Sequence, residues 1–257
     1  MKIATITILC LLSLCSTAFA LNYLQLDATP SVYDDGTDTV ITTSSVFTLY
    51  ALVDDEKIAK SYAGDDKFYI SAALVTSSHE GVEKDDTAFY GSFNFNGTDY
   101  SFVDTTQTNP EYGTPPIVEY LEKNPDTVDL ASHGIFDTYY YEFSFTIDPD
   151  DQANAYDVEY NAGEFSEADD SSDSKNLLYA AFDVDVGNLK PGYEIHFDLY
   201  TLNLDGSISQ FAPWSHDAES GGDVPETPDT PVPEPATFFL LGLGLLGMAG
   251  MGRKKLI

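Results

Sequence analysis

Apolar and polar residues alternate with a period of two along much of this chain, and that alternation admits strands and little else. Phe143, Phe145 and Ile147 alternate with Glu142, Ser144 and Thr146. Ile195, Phe197 and Leu199 alternate with Glu194, His196 and Asp198, and Ala180, Phe182, Val184 and Val186 with Ala181, Asp183 and Asp185. Each set predicts a strand with one face in a core and the other in water. Further strands are predicted over 22–28, 46–53, 67–75, 88–95, 99–103 and 154–160. Asn96-Gly97 sits between alternating flanks, which predicts a two-residue type I′ hairpin. Pro191-Gly192 and Asp205-Gly206 mark further turns. Away from the termini, no 3.6-residue apolar stripe runs longer than two turns. The fold class is therefore all-β: a single antiparallel β-sandwich or jelly roll over residues 21–214, with 104–134 and 148–174 as surface loops.

The two ends follow other rules. Residues 1–20, MKIATITILCLLSLCSTAFA, carry Lys2, an apolar run from Ile3 to Leu14, and a close on Ala18-Phe19-Ala20. That is the layout of a secretory signal peptide, with Ala18 and Ala20 at the positions a signal peptidase reads. Its apolar run is too short to span a bilayer, which takes roughly 20 residues. Leu14 is too large to precede a lipidated cysteine at Cys15. Residues 215–235, SHDAESGGDVPETPDTPVPEP, form a proline- and acid-rich linker with an extended, semi-rigid backbone. Residues 236–252, ATFFLLGLGLLGMAGMG, are uncharged and read as a transmembrane helix. At 1.5 Å per residue they rise about 25 Å, a span that needs slight thinning of the membrane. Arg253, Lys254 and Lys255 open the basic tail 253–257, which stays in the cytoplasm by the positive-inside rule. The domain then lies outside the cytoplasmic membrane.

Pro233-Glu234-Pro235, an apolar helix and an arginine-led basic end stand here in that order. This arrangement resembles the PEP-CTERM sorting signal, whose bearers are processed by exosortase, a membrane transpeptidase-like enzyme. The resemblance implies that Pro233, Glu234 and Pro235 are the recognition tripeptide and Arg253, Lys254 and Lys255 the cytoplasmic stop. Signal peptidase, an exosortase-like enzyme and, during sorting, the cytoplasmic membrane are the implied partners. The final location is the cell surface or beyond.

Charge and cysteine use exclude several functions. The chain carries 43 acidic against 11 basic residues, a formal net charge of -32. Such a surface repels nucleic acid, which requires a basic footprint, and it favours cations. Cys10 and Cys15 are the only cysteines, and both lie in the signal peptide. No disulfide, thiolate metal site or cysteine nucleophile is then expected in the domain. Its 13% aromatic content indicates a chain that can fill a core.

Catalysis finds little support. The histidines are His79, His133, His196 and His216. His133 follows Ser132, and His216 follows Ser215 and precedes Asp217, but sequence neighbours do not usually face one another as a nucleophilic triad requires. Neither a Gly-x-Ser-x-Gly elbow nor a His-Glu-x-x-His helix occurs. Glu142, Glu194, Asp183 and Asp185 lie on predicted strands, where a solvated face accounts for them more simply than a glycosidase pair. Calcium is the better use for these acids, since it takes six to eight oxygen ligands from loops. Asp34, Asp35 and Asp38, and Asp148, Asp150 and Asp151, are the candidate ligands of a structural calcium ion; neither cluster fits an EF-hand loop. Trp214 is read as sealing the core where the chain leaves the domain. The run Tyr139-Tyr140-Tyr141 puts at least one ring outward by alternation, a surface for carbohydrate or protein.

Across residues 21–220 the segments LNYLQLDA, VFTLYALV, FYISAALV, GSFNFNG, YGTPP, HGIFDTYYYEFSF, YAAFDVDV, GYEIHFDLY and FAPWSHDAE resemble the choice-of-anchor N proteins. These are bacterial surface proteins with a shared β-rich domain on differing C-terminal anchors, and the resemblance implies surface placement without an activity. The function read from the sequence is a non-enzymatic, exported protein of the cell envelope or extracellular matrix. A carbohydrate-binding module acting on exopolysaccharide is the alternative, and a secreted hydrolase ranks third.

Overall fold

The computed structural model describes residues 24–54, 68–85, 87–102, 110–115, 137–168, 176–202, 208–213 and 216–221. The chain divides after Val224, and every described residue belongs to the first part. Residues 1–20, Trp214, Asp205-Gly206, the Pro-Glu-Pro tripeptide, the apolar segment 236–252 and the basic tail lie outside the described residues. Among the described residues, no helix is long and apolar enough to cross a membrane.

Two sheets pack face to face as a sandwich. The first takes β1 (Leu24–Thr29), β4 (Val46–Asp54), β11 (Asn176–Leu189), β6 (Gly91–Phe95) and β7 (Thr98–Ser101) in that order, with β10 (Gln152–Asn154) also paired to β11. The second runs β2 (Val32–Asp34), β3 (Thr39–Thr42), β14 (Ala218–Ser220), β12 (Tyr193–Leu202), β5 (Phe68–Thr76), β9 (Thr138–Phe145), β8 (Glu111–Gly113), and β13 (Ile208–Phe211) also pairs β12. Pairing is antiparallel except between β14 and β3. The period-two reading of the core holds. Leu24, Leu26, Leu49, Ala51, Phe182 and Val184 from one sheet meet Ile70, Leu74, Ile195, Phe197 and Leu199 from the other, all buried in one cluster. Rings join the layers: Phe95 stacks on Phe143 at 4.2 Å and 7°, and Phe47 meets Phe197 edge-on at 6.2 Å. Each such pair adds about 0.5–1.5 kcal/mol beyond area burial.

The Asn96-Gly97 hairpin forms between β6 and β7, with φ of 50° and 79° at its two central residues, as a type I′ turn demands. Pro191-Gly192 turns β11 into β12, with Gly192 at φ 87° and Tyr193 N donating to Lys190 O at 3.2 Å.

Four expectations need correction. The strand predicted over 154–160 ends at Asn154, and residues 158–161 form a short helix, α1. Asp157 accounts for the change: its side chain accepts the Glu159 amide at 3.1 Å and caps the helix. Residues 148–168 are not a loose surface loop but a cover over the outer face of the first sheet. Phe165 stacks on Tyr50 at 3.7 Å. The buried Asp27 carboxylate, in β1, accepts from Ala28 N, Ser31 Oγ, Tyr156 Oη and Gly163 N. Burial pushes that carboxyl up from its ordinary value, and the four donors pull it back. Tyr139, Tyr140 and Tyr141 are all buried, so none presents a free ring. Finally, β14 carries the domain past Trp214 into the segment read as linker, because its backbone completes the edge between β12 and β3.

Gly91 shows how tightly β6 meets the bulge of β11. Its φ is 105°, and a Cβ there would stand 2.4 Å from Asn188 O. Gly91→Ala is expected to cost about 2 kcal/mol or more and to lower the melting midpoint by roughly 4 °C or more. Gly97 has open space around its Cβ position. Gly97→Asn, which tolerates positive φ, is expected to cost under about 1 kcal/mol. Equal melting midpoints for the two variants would contradict the close approach at Gly91.

Candidate functional site

Alternation along β12 that sends Ile195, Phe197 and Leu199 into the core sends Glu194, His196, Asp198 and Tyr200 to the opposite face. That face is not solvated. Glu194, Asp198 and Tyr200 are buried, and the His196 side chain is only 14% exposed. Antiparallel register sets His196 directly across from Glu219 on β14, and from Ala73 on β5, whose small side chain leaves room for the ring. Asp198 faces Ser71, which donates to its Oδ2 at 2.8 Å. Asp217, just before β14, lies on the same side as Glu219 and is 1% exposed.

Carboxylates surround the imidazole of His196. Its Nε2 stands 3.4 Å from Asp198 Oδ1 and 3.2 Å from Asp217 Oδ2, while Nδ1 stands 3.1 Å from Glu219 Oε2. The other Glu219 oxygen, Oε1, meets His79 Nδ1 at 2.9 Å. His79 reaches it from the turn after β5, where it adopts φ 55°. Glu194 belongs to the same group, with a ligand atom within 4.8 Å of those of His79 and Glu219. Gly221 admits Glu194: a Cβ there would lie 2.8 Å from the glutamate Cγ. Two imidazoles and four carboxylates thus converge on one sheet face.

Proton positions follow from this crowding. Burial by itself would push His196 down, but Asp217 and Asp198 outweigh it and hold the ring well above the usual histidine value. Burial pushes Asp217 up to about 7, although His196 pulls it back. Glu219 moves the other way: burial opposes it, yet bonds from His196 and His79 bring it to about 2. One imidazole faces three carboxylates. Groups buried this way are worth little as an intact pair, but removing one partner costs about 3–5 kcal/mol.

A second buried histidine lies apart from these contacts. His216 is fully buried, and its Nε2 meets Asp157 Oδ1 at 3.0 Å. The same oxygen caps α1, so one carboxylate ties the helix to the end of the domain. Glu159 completes a possible three-ligand group there.

Of the residues singled out for calcium, Asp34 accepts from Gly36 N and Thr37 Oγ1, and Asp148 accepts from Asp150 N. These are turn contacts, and none of Asp34, Asp35, Asp38, Asp148, Asp150 or Asp151 joins a three-ligand group among the described residues. Glu142 bonds Tyr200 Oη at 2.6 Å, and Asp183 is exposed. Sequence reading put Glu194, His196 and Asp198 in water and Asp217 and Glu219 in a linker. The signal was present in Glu-x-His-x-Asp and Asp-x-Glu at strand spacing, but nothing local says that a polar face will be covered.

Residues 231–254 match the PEP-CTERM protein-sorting motif. The motif implies an exosortase-sorted protein, exported and anchored at the cell surface. No curated protein matches this chain.

His216 has a testable pH signature. Burial lowers its pKa below the ordinary 6.5, although Asp157 works against it. The unfolded chain therefore takes up a proton before the folded one does, so His216 leaves stability intact above pH 6.5 and erodes it as the pH falls below that value. His216→Gln is expected to flatten the decline in urea midpoint between pH 6.5 and 5 relative to the natural chain. Parallel pH profiles would contradict the assignment.

Proposed function

We propose that this protein is a non-enzymatic component of the cell envelope or extracellular matrix, exported through residues 1–20, sorted through its C-terminal motif and held outside the cytoplasmic membrane. The observation that carries this reading is the match of residues 231–254 to the sorting motif. Resemblance of the domain to the choice-of-anchor N group supports the same placement. The buried centre supports a structural rather than hydrolytic role. Both ring nitrogens of His196 face carboxylates, leaving neither to accept a proton from a serine nucleophile. Ser71 contacts Asp198, so the carboxylate stands between hydroxyl and imidazole, unlike the order a triad uses. Burial of Tyr139, Tyr140 and Tyr141 removes the reason for expecting an exopolysaccharide platform there.

In this reading the chain's acidic excess, 43 acidic against 11 basic residues, keeps the exported domain soluble and away from anionic lipid. Deleting residues 233–257 is expected to move the domain from the membrane fraction into the soluble exported fraction, with its thermal unfolding unchanged. Persistent membrane association of the shortened chain would overturn the anchoring role.

A further inference from the structure

We propose that His196 Nε2 and the carboxylates of Asp198 and Asp217 form the inner ligand set of a divalent transition-metal site, with zinc as the best-fitting ion. Three features point there. The first is spacing. Ligands at about 2.0–2.1 Å from a tetrahedral ion lie roughly 3.3 Å from one another. The imidazole nitrogen lies 3.4 Å from Asp198 Oδ1 and 3.2 Å from Asp217 Oδ2. The ligand atoms of His196, Asp198 and Asp217 all lie within 4.8 Å of one another.

The second is charge. Four carboxylates converge here on two imidazoles, in a location where Asp217, Glu219, Asp198 and Glu194 are each at least nine-tenths buried. Buried excess charge is costly and is ordinarily answered by a proton or a cation. A dication bound at His196 Nε2 takes the place of a proton there and so adds one net positive charge to the group.

The third is the surrounding shell. A metal-bound histidine ordinarily passes its other nitrogen to a carboxylate, which fixes tautomer and ring orientation. Glu219 occupies that position on His196 Nδ1 at 3.1 Å. Ser71 supports Asp198 at 2.8 Å. An imidazole among carboxylates suits zinc, cobalt, manganese or ferrous iron, whereas calcium prefers oxygen alone.

The test uses the full-length chain in detergent, stripped with chelator at pH 7.5 and titrated with zinc, cobalt or calcium chloride. One equivalent of zinc is expected to bind. At about 100 times its Kd, zinc should raise the melting midpoint by roughly 5–10 °C. Cobalt should give visible absorption bands of a nitrogen- and oxygen-ligated ion, and calcium should produce neither effect. His196→Gln should weaken zinc binding at least about tenfold, no less than loss of an outer-shell partner costs. Asp217→Asn, which keeps the side-chain volume, repeats that comparison should the first variant fail to fold. Asp34→Asn should leave zinc binding unchanged. Absence of stoichiometric zinc or cobalt binding by the unaltered protein would overturn the proposal. So would binding that survives both centre substitutions, or a response to calcium alone.

Discussion

Strand β12 is paired along both edges, with β5 on one side and with β14 and β13 on the other, and its two faces carry opposite chemistry. Ile195, Phe197 and Leu199 anchor one layer of the core, while Glu194, His196 and Asp198 enter a polar cluster one side chain's turn away. A slip of one residue would put carboxylates into the core and phenylalanine into the cluster. Register at β12 is therefore specified twice, by exclusion of charge from one face and by its pairing on the other.

The polar face exacts a condition. Carboxylates that leave water must find donors or counter-charges, and here the partners come from separate stretches of chain: Ser71 from β5, Glu219 from β14 and His79 from the turn after β5. Because Glu219 contacts one histidine through each oxygen, no single pair in the cluster is independent of the next. Substitution effects within it should be non-additive, as expected for groups sharing partners. The same mutual dependence fixes β14, a three-residue strand whose few backbone bonds would otherwise hold it weakly.

Sequence patterning made the sandwich readable because strands bury every second residue and the hairpin at Asn96-Gly97 has a local cause. Short pieces were not readable. The strands Val32–Asp34, Glu111–Gly113, Gln152–Asn154 and Ala218–Ser220 are too brief to show a period, and they exist because a neighbouring edge was available. Helix α1 shows the converse: Tyr156, Val158 and Tyr160 alternate with polar residues as a strand would, yet a cap at Asp157 and the bond from Val158 N to Gln25 Oε1 decide the backbone. The histidine cluster was missed for a related reason. Alternation tells which residues share a face, and says nothing about whether that face meets water.

An exported domain without cysteine must resist unfolding without disulfides. Secreted folds commonly tie distant segments covalently; this one ties them through buried charge and hydrogen bonds. Asp27 joins β1 to the segment around Tyr156 and Gly163, Asp157 joins α1 to His216, and Asp217 joins the end of the domain to β12. Such ties differ from disulfides in one physical respect. A disulfide responds to redox conditions, whereas a carboxylate–imidazole tie responds to protons and to any cation that can take the place of one. A chain stapled in this way carries part of its stability in titratable groups, and the buried His196 cluster gathers two imidazoles and four carboxylates of them on one sheet face.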